Sequence, residues 1–262
     1  MSQKATIHFF DILSVVPGPS KAWSPNTLKT RIILNFKGIP YTQTYVTYPD
    51  IAPLLNSLSV PPHAKGTAHT DYTLPAITTE SGTIMDSLPI ARHLEEQYPE
   101  KPIFPSGDAS YALAVAVNKV MVAVGSAGYN YIIPAIVKIL DPRGQEFFIR
   151  TRTVMFGKPL AEVAPTDKEE VRSMIEKMKK EAAPLVVMLK GKTGKTGPFI
   201  EGEKPGYADF IVVAFLIWFK YADENIWEEI VGLGDGEIRA LWEAVYPWVE
   251  GQGEEKEWKI PK

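Results

Sequence analysis

Trp23-Ser24-Pro25-Asn26-Thr27-Leu28-Lys29-Thr30-Arg31 joins an apolar, strand-like stretch to an amphipathic helix. Proline is well placed at the first helical position, because that N–H has no intrahelical partner. Ser24 then falls at the N-cap, with Asn26 and Thr27 in the first turn. The stretch gathers a hydroxyl, an amide and free backbone N–H groups at the positive end of a helix dipole, an arrangement that favours an anion. The chain has no cysteine, so it cannot do disulfide chemistry with its own thiols. A hydroxyl at this point can still stabilise a thiolate carried by another molecule.

Outward from this stretch, the first hundred residues alternate elements. Ile7–Leu13 reads as a strand, and Pro25–Lys37 as a helix with Leu28, Ile32, Ile33 and Phe36 on one face. Gly38 and Pro40 stop that helix. Tyr41–Tyr48 is rich in Thr, Tyr and Val and reads as a strand. Asp50–Leu58 reads as a short helix. Leu74–Thr78 and Thr83–Met85 read as strands joined by a turn at Glu80-Ser81-Gly82. Ser87–Tyr98 reads as a helix. A parallel pair with a crossover helix, followed by a hairpin, is the thioredoxin-like arrangement. Pro99, Pro102, Pro105 and Gly107 then mark a linker. Beyond it the pattern is helical, with Tyr111–Ala123, Asp167–Lys190 and Glu237–Val249 as amphipathic candidates. Gly125, Gly128 and Pro134 are expected to kink or break the pattern. The expected division is an α/β domain over 1–98, a linker over 99–108 and an all-α domain over 109–262.

The chain has 262 residues, of which 45% are hydrophobic, and a net charge of -3. That charge, with no basic stretch interleaved with aromatics, gives no reason to expect nucleic acid. The missing cysteines remove disulfide frameworks, zinc fingers and thiol nucleophiles. Asn-x-Ser/Thr acceptor sites are absent, and Asp11 interrupts the N-terminal apolar stretch, so no signal peptide is expected. Phe210–Phe219 is the longest apolar run, well short of the ~20 residues that span a bilayer. The expectation is a cytoplasmic protein that engages no membrane.

Two further stretches carry chemistry. Thr73-Leu74-Pro75-Ala76-Ile77 places a proline inside an apolar run, where it removes a ladder hydrogen bond. It reads either as an edge-strand proline or as a cis Leu74–Pro75 bond that turns the Leu74 backbone toward the Ser24 loop. In the second case its N–H and C=O can pair with a peptide ligand as a short added strand. Met85-Asp86-Ser87 ends a strand and begins a helix. It is either a plain N-cap or a site where the Ser87 hydroxyl and free N–H groups hold a carboxylate while Asp86 holds an amine.

Together these stretches resemble the glutathione transferase family over nearly the whole chain, most closely the fungal-specific class related to bacterial lignin β-etherases. The resemblance implies a thioredoxin-like glutathione-binding domain, an all-helical domain for a hydrophobic electrophile, and a homodimer. It implies that Ser24 hydrogen-bonds the glutathione sulfur, with Asn26 as a second donor. Leu74, with Pro75 after it, would pair through its backbone with the cysteinyl part, and Asp86 and Ser87 would hold the γ-glutamyl end. Lys65 and His63 are candidates for the glycine carboxylate. Glutathione is the implied co-substrate, with no metal. The partners are aromatic or other hydrophobic small molecules, in conjugation, detoxification, ether cleavage or removal of glutathione from aromatic conjugates. A non-catalytic carrier of such compounds is the alternative, and a scaffold role a third.

The chain departs from the family at two points. The family usually has Glu or Gln where Asp86 stands. Its second domain usually carries a Ser/Thr-x-x-Asp capping box where this chain has Gly206-Tyr207-Ala208-Asp209, so Asp209 keeps its role but Gly206 has no side chain to cap with. Other signals weigh less. Gly191-Lys192-Thr193-Gly194-Lys195-Thr196 lacks the upstream glycine and the preceding strand of a phosphate loop. His8, His63, His69 and His93 share no metal-ligand spacing. Tyr111, Tyr129, Tyr131, Phe147, Phe148 and Phe156 read as core, with some near Gly125–Tyr131 free to line an aromatic pocket.

Overall fold

The computed structural model describes residues 7–66, 70–251 and 253–261, so His69 lies outside the described residues. The first domain runs β1 (Ile7–Ile12), α1 (Pro25–Lys37), β2 (Tyr41–Val46), α2 (Ile51–Ser57), β3 (Ala76–Thr79), β4 (Gly82–Met85) and α3 (Ser87–Gln97). β1 and β2 pair in parallel from Ile7 opposite Tyr41 to Ile12 opposite Val46. α1 makes the crossover that a parallel pair requires. β3 runs antiparallel to β1, and β4 antiparallel to β3. This is the expected thioredoxin-like order. β3 begins only at Ala76, because Pro75 has no N–H to give to the ladder.

The second domain is helical: α4 (Asp108–Ala127), α5 (Tyr129–Ile136), α6 (Pro142–Phe156), α7 (Lys168–Lys190), α8 (Tyr207–Ala222), α9 (Glu224–Val231) and α10 (Glu237–Val245). α4 runs unbroken through Gly125, and Pro134 lies inside α5. α8 is its centre, with every residue from Tyr207 to Phe219 buried. α1, α4, α5 and α9 pack around it. Its start is tied by Asp209, whose carboxylate accepts from the N–H of Gly206 (2.8 Å) and of Ile200 (2.9 Å). So the acid of the capping box works without a cap side chain at Gly206. α4 is long and apolar enough, by length and composition, to cross a membrane. Here it packs against α7 and α8, leaving Val115 and Val122 exposed.

α1 lies between the sheet and α8, which explains a pattern the single apolar face of the sequence does not convey. All residues from Thr27 to Leu34 are buried, Lys29 and Arg31 included. Arg31 is fully buried and pairs with Asp11 at 2.8 Å. Its guanidinium also donates to Tyr41, Gln43 and Tyr45. A charge out of water is tolerated only with such pairing. The tail after α10 crosses back to the first domain. There β5 (Glu254–Glu255) pairs in parallel with β2 and closes the sheet order β4-β3-β1-β2-β5. Trp258 lies against His8 and Phe10, with ring centroids 4.5 and 5.0 Å away.

Candidate active site

Ser24 takes an extended conformation ahead of Pro25 at the start of α1, yet its side chain makes no capping bond. Its carbonyl oxygen accepts from the Thr27 hydroxyl (3.2 Å). The Ser24 hydroxyl has no hydrogen-bond partner among the described residues, although only 4% of the residue is exposed. The hydroxyl oxygen itself is not sealed from solvent, and Ser24 lies where a ligand can supply its partner. It lines a cavity of about 730 Å³ between the two domains. A second cavity, of about 370 Å³, is lined by Asn26, His63, Thr73, Leu74, Pro75, Asp86 and Ser87. Asn26 lines both. Three separate stretches of sequence therefore meet around one hollow that opens at Asn26 onto a larger one.

Each stretch contributes by its local geometry. The Leu74–Pro75 bond is cis. The Leu74 N–H and C=O make no hydrogen bond among the described residues and face no strand of the sheet. Asp86 is the residue before α3 and has φ 78, a conformation that side chains rarely adopt and that costs about 1–3 kcal/mol. Asp86 is the N-cap residue by position, but its carboxylate caps no backbone N–H. It accepts instead from the Thr73 hydroxyl (3.1 Å) and lies 3.6 Å from His63 Nδ1. Since Thr73 spends its proton on Asp86, the His63 Nε2 donates to the Thr73 oxygen at 3.0 Å. Asp86 is thus held by the Thr73 hydroxyl and remains partly open to solvent. Ser87 begins α3, beside the Tyr207 phenol of α8. Lys65 is exposed in a turn and lines neither cavity.

Lys29 is the site's cation, and sequence reasoning missed it. Its ammonium donates to Asn26 Oδ1 and to Asn118 Oδ1 of α4, each at 3.1 Å. It also lies 5.2 Å from the centre of the Phe215 ring. Burial lowers its pKa to about 8, against the pull of the Asp86 carboxylate. An ammonium only donates, so it fixes the oxygen of the Asn26 amide inward and turns the NH2 group the other way. The one available signal was its place three residues after Asn26 on α1, facing inward beside Leu28.

The larger cavity is walled by the helices of the second domain. Gly125 and Ser126 come from α4, Tyr129 and Ile133 from α5, Phe148, Arg152 and Met155 from α6, and Phe215 and Trp218 from α8. Trp23 and Tyr48 close it from the first domain. Its size falls within the ~300–1,000 Å³ of small-molecule sites, as does its apolar lining with few polar groups. The room that the sequence reads at Gly125 is taken by the protein's own rings. A Cβ there would lie 3.0 Å from Trp218 and 3.5 Å from Phe215. Of the six aromatics read as core, Tyr129 and Phe148 line the cavity. Tyr131 instead donates to Asp223 at 2.7 Å. Among the described residues no group of three His, Asp or Glu side chains is placed to hold a metal.

Comparison with known proteins agrees with this architecture. Residues 23–97 match the glutathione S-transferase N-terminal domain, and residues 112–248 match the C-terminal domain. A glutathione S-transferase-like protein of Aspergillus flavus, ustS, is 53% identical over 270 residues, covering 100% of this chain and 97% of its own. A glutathione S-transferase of Ceriporiopsis subvermispora, solved in complex with glutathione, superposes with a TM-score of 0.82 at 34% identity, covering 93% of this chain and 97% of that one. Glutathione transferase GSTFuA3 of Phanerochaete chrysosporium gives 0.81 at 29% identity, with the same 93% and 97%. With both domain families in order along one chain, and a thioredoxin-like sheet joined to an all-helical domain, this protein belongs to the glutathione S-transferase family and is a glutathione transferase.

Proposed function

We propose that Ser24 stabilises the thiolate of bound glutathione and that Asn26 is a second donor to the sulfur. The observation that carries this reading is the Ser24 hydroxyl: at the positive end of α1, free of any capping bond, on a residue that lines the cavity. A free thiol near pKa ~8.5 is mostly protonated at neutral pH, and lowering it by ~2 units takes ~2.7 kcal/mol. One charge-assisted hydrogen bond (~1.5–3 kcal/mol) and the helix end (~0.3–1 kcal/mol) supply that together. The thiol proton goes to solvent, so no side chain has to act as base. The thiolate then attacks the electrophilic atom, forming the new bond to sulfur as the leaving group departs with its electron pair.

The peptide part of glutathione is assigned to the smaller cavity. The free Leu74 N–H and C=O pair with the cysteinyl main chain, beside Pro75. Asp86 takes the γ-glutamyl amine, with Ser87 beside it. Lys65 and His63 remain candidates for the glycine carboxylate, with His63 favoured because it lines the cavity and Lys65 does not. The electrophile, aromatic or otherwise hydrophobic, occupies the larger cavity. Ether cleavage, removal of glutathione from aromatic conjugates and detoxification fall within this reading. So do a homodimer and a cytoplasmic location, which sedimentation and fractionation test.

The second reading, a carrier of aromatic compounds, is favoured by the size and lining of the larger cavity alone. Ser24→Ala separates the two. The enzyme reading expects turnover to fall about 10- to 100-fold with the fold intact. The carrier reading expects aromatic-ligand affinity that does not change with Ser24.

A further inference from the structure

The larger cavity holds one charged side chain, and that charge is unmatched. Arg152 is the cation, and none of the residues lining the cavity is an acid. Among the described residues Arg152 has no carboxylate partner. Its Nη1 donates to the neighbouring Thr151 hydroxyl at 3.2 Å. Its Nε is buried and has no acceptor. Nη2, which shares an edge of the guanidinium with Nε, has none either among the described residues. The guanidinium carbon lies 4.6 Å from the centre of the Phe148 ring. Nε is sealed from solvent, which leaves Nη2 as the open donor, able to meet a carboxylate oxygen with a charge-assisted hydrogen bond.

The surroundings sharpen the point. Tyr48 and Tyr129 both line the cavity; burial raises the Tyr48 phenol, while the Arg152 charge pulls it down. The guanidinium therefore shares the cavity with two phenols and with the rings of Trp23, Phe215 and Trp218. Arg152 is half-buried in the cavity wall, so a carboxylate bound beside the rings meets a cation that has no carboxylate partner of its own among the described residues. Arg31, Arg143 and Arg239 are paired with Asp11, Asp50 and Glu228, and the other arginines without a carboxylate partner among the described residues, Arg92, Arg150 and Arg172, are exposed on the surface rather than set in a cavity wall.

We propose that the cavity selects aromatic compounds that carry a carboxylate, with Arg152 binding the carboxylate and the aromatic wall binding the ring. The inference rests on the reading of this cavity as the electrophile site, and it adds the class of compound. Arg152 is a specificity-determining residue in this account and plays no part in activating the thiol.

The test is equilibrium binding, read by quenching of tryptophan fluorescence, of 4-nitrobenzoate against 4-nitrobenzamide. The two differ in charge and little in shape. Wild-type protein is expected to prefer the benzoate by at least tenfold. Arg152→Met is expected to lose at least nine-tenths of that preference, and Arg152→Lys to restore part of it, since lysine keeps the charge. Raising salt reduces the wild-type preference. Equal affinity for the two compounds in wild-type protein, or a preference unchanged in Arg152→Met, overturns the proposal. Because the readout is binding without glutathione, it stands apart from the thiolate chemistry. A chain that binds the benzoate through Arg152 but turns nothing over would sink the enzyme reading and leave this one.

Discussion

Replacing Lys29 with methionine separates what the buried ammonium does for stability from what it does for the site. The side chain is 4% exposed, and burial lowers its pKa from 10.5 to about 8. The sign follows directly. In the unfolded chain Lys29 keeps its proton up to pH 10.5, while in the folded chain it gives it up near 8. Between those values the unfolded state binds more protons, so stability rises with pH. The gap is two and a half units, or about 3 kcal/mol at 1.36 kcal/mol per unit. Lys29→Met has no such proton. Below pH 8 the variant escapes the buried charge but leaves the Asn26 and Asn118 oxygens without their donor. Each such loss is worth about 1.5–3 kcal/mol for a bond to a charged group. Near pH 7 the variant should therefore be close to wild type. Urea unfolding of both proteins at several pH values from 7 to 10.5 measures the difference, and unrelated titrations cancel in it. The expected result is a wild-type advantage that grows by about 3 kcal/mol across the window. A difference constant to within about 0.5 kcal/mol would refute the reasoning, because then the buried ammonium is not destabilised in the folded state.

Three further predictions follow from the fold. Asp209→Ala leaves two buried N–H groups, of Gly206 and Ile200, without an acceptor; at about 1–3 kcal/mol each, urea unfolding should show a loss of several kcal/mol. Burial also lifts the Asp209 pKa from 3.8 to about 7, so its contribution is fullest below pH 4 and is lost as pH rises toward 7, a slope that Asp209→Asn should remove. His8 is opposite in sign: burial and Lys256 lower its pKa to about 4, so stability drops as pH falls from 6.5 toward 4, and His8→Gln should flatten that limb of a thermal melt series. Gly125→Ala places a Cβ 3.0 Å from Trp218, so the ring must shift and the near-ultraviolet circular dichroism should change, whereas an unchanged spectrum would mean the cavity wall is not packed as described.

What could be read from the sequence was whatever local geometry demands. A Ser-Pro step before an apolar helical period, a proline ahead of a strand, and an Asp-Ser step into a helix each write a local signature. From these Ser24, Asn26, Leu74, Pro75, Asp86 and Ser87 could be found, and the order of elements through α3 with them. The cavity walls write none. Tyr48, Arg152, Phe215 and Trp218 meet only because α6 and α8 pack beside the first domain. α6 itself was not foreseen, because Phe147, Phe148 and Ile149 stand in a row and give no helical stripe. Its clear mark was Asp141-Pro142, where the Asp141 side chain accepts from the Gly144 N–H at 3.1 Å. β5 pairs two residues and depends wholly on the sheet edge it meets. Lys29 and Arg31 show the same limit from within a helix that was read. Their burial follows from α1 lying between sheet and α8, which no residue of α1 records.

The most direct test of the central claim is the ultraviolet absorbance of glutathione thiolate against pH, with wild-type protein and with Ser24→Ala. The account predicts a bound thiol titrating about 2 units below its free value of ~8.5, and a return of about 1–2 units toward that value in the variant. A bound thiol that titrates at its free value in wild-type protein, or equally low in both proteins, would contradict it.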